Sequence, residues 1–459
     1  MIFGYPAESS VDPGSTLTLN VSTDAPGFHT AFFRQGAAFE PLGDLGLPTN
    51  PGVSVPFHPA DQDWGVDGID AEGDPLPAWP AYEFPVPAEW RTGTYVAVFT
   101  ELDEDGNALS EPDTSTADGR DSRALFVVRN PSPGTARILY KLPLFTWQAY
   151  NMTGDPQGSL YLDGGNHGVS LRRPGGGTGG VPTDTFTFPD VYDGSSPRET
   201  FAHWDADFIA WLERNDYPVD YCTDLDVHRG SDGLDGGYRL ILSVGHDEYW
   251  SSAMRERVAG FVDGGGNVAF FSGNTCWWKV DFPDVEQMVF DRPVTWWESG
   301  QPENTLTGVS YRNGGGQWDG PRPQVVGYTV QHADHWVFDG TGLSNGDVIG
   351  DFYPDDLSEP AALVGYECDG AAFDRAQLNG GPVTPTGEDE TPADFLILGV
   401  ADVTGWNDSL GNHAATMGLV TVAGTTFTAA TSDWSRVLNS GRHPTVEHIT
   451  RNVLDTLSA

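Results

Sequence analysis

The most regular pattern of apolar and polar segments in the chain lies between residues 238 and 279. Two apolar runs, 238–244 and 267–271, flank a segment whose apolar residues recur at helical spacing, namely Met254, Val258, Phe261 and Val262. This pattern predicts a strand, a helix and a strand, and the crossover of such a unit makes the two strands parallel. Because ligands of parallel sheets bind beyond the carboxyl ends of the strands, we expect a site among the polar residues that follow each run.

The first 130 residues show a different pattern, in which short β-type runs are separated by Pro and Gly. The runs at 16–22, 94–100 and 124–128 alternate in polarity or are rich in β-branched and aromatic residues. No helical periodicity accompanies them. We therefore predict an all-β sandwich domain over residues 1–130.

From residue 136 onward, strand and helix patterns alternate. Strands are predicted at 136–142 and 218–222. A capping box at 196–199 predicts the start of a helix between them, with one face formed by Phe201, Trp204, Phe208, Trp211 and Leu212. A closing helix is predicted at 445–457, where apolar residues again recur at helical spacing.

Alternation of strands and helices is typical of α/β folds with a parallel sheet. Residues 280–430 add only short β-like runs among many Gly, Pro and Trp residues. We therefore expect residues 131–459 to form a doubly wound α/β domain with a mostly parallel, amidotransferase-like sheet.

The composition adds a strong negative charge. Sixty-six acidic residues stand against 23 basic ones, which gives a formal net charge of −43, and lysine occurs only at Lys141 and Lys279. This charge repels nucleic acids and anionic membranes, and its spread along the whole chain indicates a solvated surface adapted to high salt. No leader and no run of membrane-spanning length is seen, so we expect a cytoplasmic protein of a halophilic organism.

Known short motifs do not explain the polar segment after the first apolar run. His246 and Glu248 form an H-x-E, but the P-C-x-x-C that zinc deaminases also need is absent, as are H-E-x-x-H and G-x-S-x-G. The three cysteines fit neither a disulfide framework nor a metal pattern. Cys276 follows a strand, as an amidotransferase nucleophile does, but the bulky neighbours Thr275 and Trp277 indicate a bystander.

Six motifs occur in order along the chain. They are GHDEYWS at 245–251, GGNVAFFSGN at 265–274, LTGVSYR at 306–312, HWVF at 335–338, GYE at 365–367 and ITRNV at 449–453. Together they resemble the large (β) subunit of N,N-dimethylformamidase and its relatives over about residues 135–459, and more weakly in the β domain before them. The resemblance implies an amidohydrolase that acts on a small N-substituted amide similar to dimethylformamide and releases formate and an amine.

The resemblance also implies a metal site, because that family is understood to hold one non-haem iron through two tyrosines and one glutamate. The glutamate corresponds to Glu248 in the HDEYW motif, and the tyrosines to Tyr150 and Tyr161. Two phenolates and one carboxylate are hard oxygen donors that would neutralise ferric iron, Fe³⁺. Alternatively, Glu248 could cap the following helix, and both tyrosines could be ordinary buried aromatics.

The remaining site residues follow from the same expected chemistry. Iron would polarise the amide carbonyl and activate water, whereas the leaving amine needs a proton. We expect His246 and Glu367 to carry that proton and Asn274 to donate to the oxyanion or orient water. Trp147 and Trp277 are expected to form a dry pocket for N-methyl groups.

A different class of function is also compatible with the pattern. The chain could be a non-catalytic protein that binds a ligand such as a carbohydrate on an amidotransferase-like scaffold. Iron content and the visible absorption of ferric tyrosinate separate the two interpretations. For the enzyme, the expected partner is a small amide, and the sequence leaves open a homo-oligomer and a small partner subunit like that of the family.

Overall fold

The structure is a computed structural model of the 459-residue chain. It describes residues 1–110, 123–154, 158–161, 168–179, 198–284, 286–289, 294–318, 327–350, 363–379, 381–438 and 440–459. Within these ranges, none of the helices has the length and apolar character needed to cross a bilayer.

The N-terminal part consists of two β-sheets that face each other. The first sheet has the strand order Ile2–Pro6, Thr16–Thr23, Ala81–Pro85. The second has the order Ser10–Val11, Arg123–Val128, Gly93–Leu102, Gly27–Gln35, Phe39–Gly43, and Asn50–Pro51 also pairs with Gly27–Gln35. Gly68–Ile69 and Pro75–Leu76 form a separate two-stranded sheet. Leu17 and Leu19 of the first sheet share a buried apolar cluster with Phe28, Phe32 and Tyr95 of the second. The sheets therefore pack face to face, which agrees with the predicted all-β character of this part.

The largest sheet has nine strands of mixed direction. Its order is Val219–Thr223, Ile138–Leu142, Leu240–His246, Asn267–Gly273, Thr425–Thr428, Ala414–Thr421, Leu396–Asp402, Tyr328–Val330, Val348–Ile349. The first five strands run parallel to one another. Each later strand is antiparallel to the one before it.

The predicted doubly wound, mostly parallel α/β fold is therefore wrong. Among the described residues, strands account for 34% and helices for only 17%, and many of the sheets are antiparallel. The error arises from residues 280–430, whose short runs give no clear period. The strands Ala414–Thr421 and Thr425–Thr428 are joined by residues 422–424 alone, and so short a connection can join only antiparallel strands.

The strand, helix and strand predicted from the 238–279 pattern are present. The helix Ser252–Asp263 connects Leu240–His246 to Asn267–Gly273, and these two strands pair in parallel. The side chain of Ser251 caps the helix by accepting a hydrogen bond from the backbone N–H of Met254. The unit therefore places the carboxyl ends of two neighbouring strands beside each other.

Smaller sheets surround these carboxyl ends. They pair Gly168–Ser170 with Gln287–Val289 and Tyr249–Ser251 with Trp278–Val280, and a three-stranded sheet has the order Glu367–Gly370, Ser310–Gly316, Asp408–Ser409. The three-stranded sheet brings Glu367 against the end of the parallel strands, where the backbone oxygen of Glu367 accepts a hydrogen bond from the N–H of Ser432.

The α-helices of the described ranges are Leu144–Tyr150, Asp205–Arg214, Asp224–Arg229, Ser252–Asp263, Asn304–Thr307, Trp434–Leu438 and Pro444–Leu457, with 3₁₀ helices at Leu234–Gly236, Trp336–Phe338 and Arg375–Asn379. The predicted closing helix is confirmed. The capping box predicted at 196–199 lies partly outside the described residues, and the helix begins later, at Asp205. Glu199 therefore belongs to the loop that precedes this helix.

One buried apolar cluster extends across residue 130. Phe33, Val96 and Leu125 of the N-terminal sheets pack in the same cluster as Leu139 and Trp211 of the later part. This shared core holds the β part against the large mixed sheet. The division into domains 1–130 and 131–459 stays a prediction.

We expect the stability of the fold to depend strongly on salt, because the net charge of −43 produces self-repulsion. The Debye length falls from about 10 Å at 0.1 M salt to about 3 Å at 1 M, so KCl should raise the unfolding temperature by several degrees over this range. Calorimetry in KCl measures the rise. Sucrose is the control, because it favours the compact state without screening charge. An equal rise in both solutes, or none in KCl, would contradict the halophilic interpretation.

Candidate active site

Four polar side chains meet at the carboxyl ends of two parallel strands. His246 and Glu248 come from the end of one strand, Asn274 follows the next, and Glu367 enters from the three-stranded sheet. All four are buried. The amide Nδ2 of Asn274 donates to Oε1 of Glu248 at 3.0 Å and to Oε2 of Glu367 at 2.9 Å. The structure thus brings together the three residues predicted for catalysis and one predicted metal ligand.

The imidazole of His246 lies between glutamates. Its Nδ1 is 2.9 Å from Oε2 of Glu199, and its Nε2 is 2.7 Å from Oε2 of Glu367 and 3.5 Å from Oε2 of Glu248. The contact with Glu367 is close but lacks the direction of a hydrogen bond, so we treat it as an ion pair. Burial lowers the pKa of His246, but the charges of Glu199 and Glu367 outweigh burial and raise it well above the ordinary value.

The environments of Glu248 and Glu367 shift their pKa values in opposite directions. Burial and the charge of Glu367 raise the pKa of Glu248 to about 8, despite the opposing charge of His246. Burial also acts to raise the pKa of Glu367, but the charge of His246 and hydrogen bonds from Trp318 and Asn274 lower it below its ordinary value. Neighbouring carboxyl groups with divergent pKa values are a common basis for an acid and a base at neutral pH.

Tyr150 and Tyr161 lie beside Glu248. The hydroxyl of Tyr150, on the helix Leu144–Tyr150, donates to Oε2 of Glu248 at 2.8 Å. The ring centroids of the two tyrosines are 4.9 Å apart, and Tyr161 is 45% exposed. Burial, reinforced by the nearby carboxylates, raises the pKa of both phenols. Both tyrosines therefore stay neutral unless a positive charge is added.

The two residues predicted to form the substrate pocket, Trp277 and Trp147, lie in different surroundings. Trp277 packs 5.5 Å from the ring of Tyr311, and Trp318 donates from Nε1 to Oε1 of Glu367 at 2.6 Å. Trp318 and Tyr311 both lie against Gly316. Trp147 is buried in the large apolar cluster that also contains Tyr150, and its ring centroid lies 6.1 Å from that of Phe201.

The backbone adopts the left-handed conformation at three non-glycine residues around His246. These are Glu199 with φ 63°, Asn274 with φ 50° and Tyr366 with φ 54°. Each such position costs about 1–3 kcal/mol and persists only when its surroundings hold it. Because three such residues lie together, the contacts of their side chains must compensate for the unfavourable backbone conformations.

The oxygens of the site are compatible with a hard cation. Among the residues that the structure describes, no group of three or more His, Cys, Asp or Glu is arranged to hold a metal. Oη of Tyr150 and Oε2 of Glu248 are 2.8 Å apart. These two oxygens are close enough to serve together as hard donors to one cation. Three buried glutamates also surround one imidazole here, which favours the binding of a cation.

Three residues of the site were not predicted from sequence. Glu199 contacts His246, Tyr366 donates to Oε1 of Glu199 at 2.9 Å, and Trp318 holds Glu367. Tyr366 could have been found, since it precedes Glu367 in the GYE motif. The local sequence around Glu199 suggested only a helix cap. It gave no signal that Glu199 contacts His246, which is 47 residues later in the chain.

A buried cluster of ionisable groups with shifted pKa values at the ends of parallel strands is typical of a binding or catalytic site. The chain belongs to the N,N-dimethylformamidase beta subunit-like family, whose C-terminal profile matches residues 70–448. The prediction from the sequence motifs is thereby confirmed at the level of the family.

Individual relatives are more distant. The N,N-dimethylformamidase beta subunit of Paracoccus aminophilus is 24% identical over 217 residues, which cover 42% of this chain and 26% of that protein. The chain thus matches about a quarter of the length of this relative. A family 123 glycoside hydrolase from Clostridium perfringens covers 60% of this chain and 48% of its own at 8% identity, but the TM-score of 0.14 does not indicate a shared fold.

Proposed function

We propose that this chain hydrolyses the C–N bond of a small N-substituted amide, as an amidohydrolase of the dimethylformamidase kind. The observation that carries the proposal is the buried row in which Tyr150 bonds to Glu248, Asn274 joins Glu248 to Glu367, and Glu367 contacts His246. This row combines hard oxygen donors with an acid and a base in direct contact.

Tyr150, Tyr161 and Glu248 would hold a ferric ion. When bound, such an ion supplies Lewis-acid chemistry, which polarises the amide carbonyl and lowers the pKa of water. The fit rests on the 2.8 Å contact between Tyr150 and Glu248 and on the adjacent ring of Tyr161. A trivalent charge would also offset the burial that raises the pKa of the two phenols.

Two side chains are suited to move protons. Glu367, whose pKa is lowered, would take a proton from the attacking water, and the His246 imidazolium would give its Nε2 proton to the leaving amine. An amine anion is a very poor leaving group, so this second transfer is required. Asn274 has Nδ2 engaged with Glu248 and Glu367, so we assign it to holding the two glutamates in place.

The surroundings favour a small substrate with apolar substituents. Trp277, Tyr311 and Trp318 pack as an aromatic wall that reaches Glu367 through the indole of Trp318, and Tyr161 is partly exposed. N-methyl groups suit such a wall, while the carbonyl would face the polar row. The match to a protein named as a beta subunit also supports an assembly with a further subunit, which the mass of the purified complex would reveal.

Metal content and colour test the proposal. We expect the protein, purified in high salt from iron-replete cells, to contain about one iron per chain, to absorb visible light and to release formate from dimethylformamide. Tyr150→Phe and Glu248→Ala should each lose colour and iron, because each removes a proposed ligand. Elemental analysis, absorption spectra and a formate assay measure these effects.

Tyr217→Phe is the matched control. Tyr217 also donates from its hydroxyl to a carboxylate at 2.8 Å, that of Asp455, but at the C-terminal helix. This variant should keep iron and colour. A colourless, iron-free parent protein would contradict the enzyme proposal and favour a ligand-binding role. Unchanged iron in both site variants would contradict the ligand assignment.

A further inference from the structure

Glu199 is placed to control the ring of His246 from the side opposite Glu367. Both carboxylate oxygens lie within 3.0 Å of Nδ1, and the glutamate side chain is buried. A carboxylate can only accept a hydrogen bond, so this contact requires a proton on Nδ1. The other ring nitrogen, Nε2, is then the one that faces Glu367 and Glu248.

Glu199 is itself fixed by neighbours. The hydroxyl of Tyr366 donates to Oε1 of Glu199 at 2.9 Å, and the guanidinium of Arg198 stacks 4.4 Å above the ring of Tyr366. Trp204 packs against both Tyr366 and His246, with ring centroids 5.5 Å and 6.0 Å away. The left-handed backbone at Glu199 and Tyr366 shows that this arrangement is held against local preference.

We propose that Glu199 is a positioning residue that keeps a proton on Nδ1 of His246 and fixes the ring so that Nε2 faces Glu367. The inference rests on the proposed function in one respect, which is its effect on rate. When His246 gives its Nε2 proton to a leaving amine, the neutral ring that remains must carry its proton on Nδ1, and Glu199 selects that tautomer. The hydrogen bonds of Glu199 go to His246 and Tyr366, and its charge also acts on the proposed iron ligands Tyr161 and Glu248.

Two substitutions at Glu199 separate positioning from general packing. Glu199→Gln keeps an oxygen that can accept from Nδ1, whereas Glu199→Leu removes it at similar volume. In the full-length protein, freed of paramagnetic metal by a chelator and labelled with ¹⁵N-histidine, long-range ¹H–¹⁵N spectra are recorded at rising pH until the ring of His246 becomes neutral, and they then report which ring nitrogen keeps the proton. The His246→Gln variant assigns the signal. We expect a protonated Nδ1 in the parent and in Glu199→Gln, and its loss or mixing in Glu199→Leu.

The kinetics of dimethylformamide hydrolysis are the second test of the role of Glu199. Hydrogen-bond partners that orient metal-bound histidines contribute about 10–100-fold, and we expect an effect of similar size here, so kcat of Glu199→Leu should fall by about that factor while KM stays within about twofold. Glu199→Gln should recover much of the loss. Tyr366→Phe is the control for the spectra, because it removes one bond to Glu199 but leaves the contact with His246 in place, and Nδ1 should stay protonated.

An unchanged His246 signal in Glu199→Leu would overturn the proposal, whatever happens to stability. Equal losses of kcat in the Gln and Leu variants would also contradict positioning through an accepted hydrogen bond. If the parent protein shows no activity at all, the proposed function fails. The spectra would still decide the role of Glu199.

Discussion

Replacing Glu367 with glutamine is expected to lower the turnover of dimethylformamide by about 10²- to 10⁴-fold while iron stays bound, because this range is typical of general acid–base catalysis. The variant keeps the volume and can still accept from Nε1 of Trp318, which lies 2.6 Å from Oε1. It removes the negative charge that faces Nε2 of His246 at 2.7 Å. Its amide nitrogen then faces Nδ2 of Asn274, which donates to Oε2 in the parent, so urea unfolding of the variant is measured beside its turnover.

The measurement combines a formate assay with iron analysis on the same preparation. Asp402→Asn is the control, because Asp402 is an acidic residue of the large sheet that pairs with Arg375 at 2.9 Å, away from His246. It should keep parental turnover. If Glu367→Gln retained full turnover, Glu367 would not be the base. If it lost iron together with activity, Glu367 would instead belong among the metal ligands.

The sequence predicted those elements whose pattern is long and regular. The strand, helix and strand at Leu240–Gly273 and the helix Pro444–Leu457 follow directly from their spacing. The antiparallel half of the large sheet could not be predicted, because strands such as Tyr328–Val330 span only three residues. A strand of this length carries too little periodicity to reveal its direction, which its neighbours determine.

In the candidate site, too, some features could be predicted from the sequence and others could not. Glu248, Asn274 and Glu367 lie in recognisable motifs, and the structure places Asn274 within hydrogen-bond distance of both glutamates. The opposite pKa shifts of Glu248 and Glu367 could not be predicted, because they arise from burial and from the shared neighbour His246. Such effects depend on which side chains meet in three dimensions, and motif spacing does not contain that information.

Beneath the candidate site, Lys141 forms a buried ion-pair network. Its Nζ lies 2.5 Å from Oδ1 of Asp224 and 2.8 Å from Oδ2 of Asp247, and Asp247 also accepts from Nε1 of Trp250 at 3.0 Å. Burial lowers the pKa of Lys141, but the two aspartates outweigh it and raise the pKa. Burial raises the pKa of Asp224 to about 7 even beside the ammonium, because one lysine serves two carboxylates.

Lys141→Met is expected to destabilise the protein by about 3–5 kcal/mol, because it leaves two buried carboxylates without their cation. Urea unfolding in high salt measures the change. Lys279→Met is a matched control at the other lysine of the chain, which is half-buried over the ring of Trp296 at 5.5 Å, and its loss should cost at most about 1 kcal/mol.

Asp247 lies between His246 and Glu248 in the sequence, so the ion pairs of Lys141 also help to hold these two site residues in place. Asp247 is held from below by Lys141 and by Ser243, whose hydroxyl donates to Oδ2 at 2.5 Å. Losing the lysine should therefore lower iron occupancy as well as stability, even at temperatures where the variant is folded. Lys141→Arg keeps the charge in a larger group and should restore part of both. Equal stability of Lys141→Met and Lys279→Met would contradict this prediction. It would show that Asp224 and Asp247 can take up protons in place of the lysine charge, and that Lys141 does not stabilise the segment around Asp247.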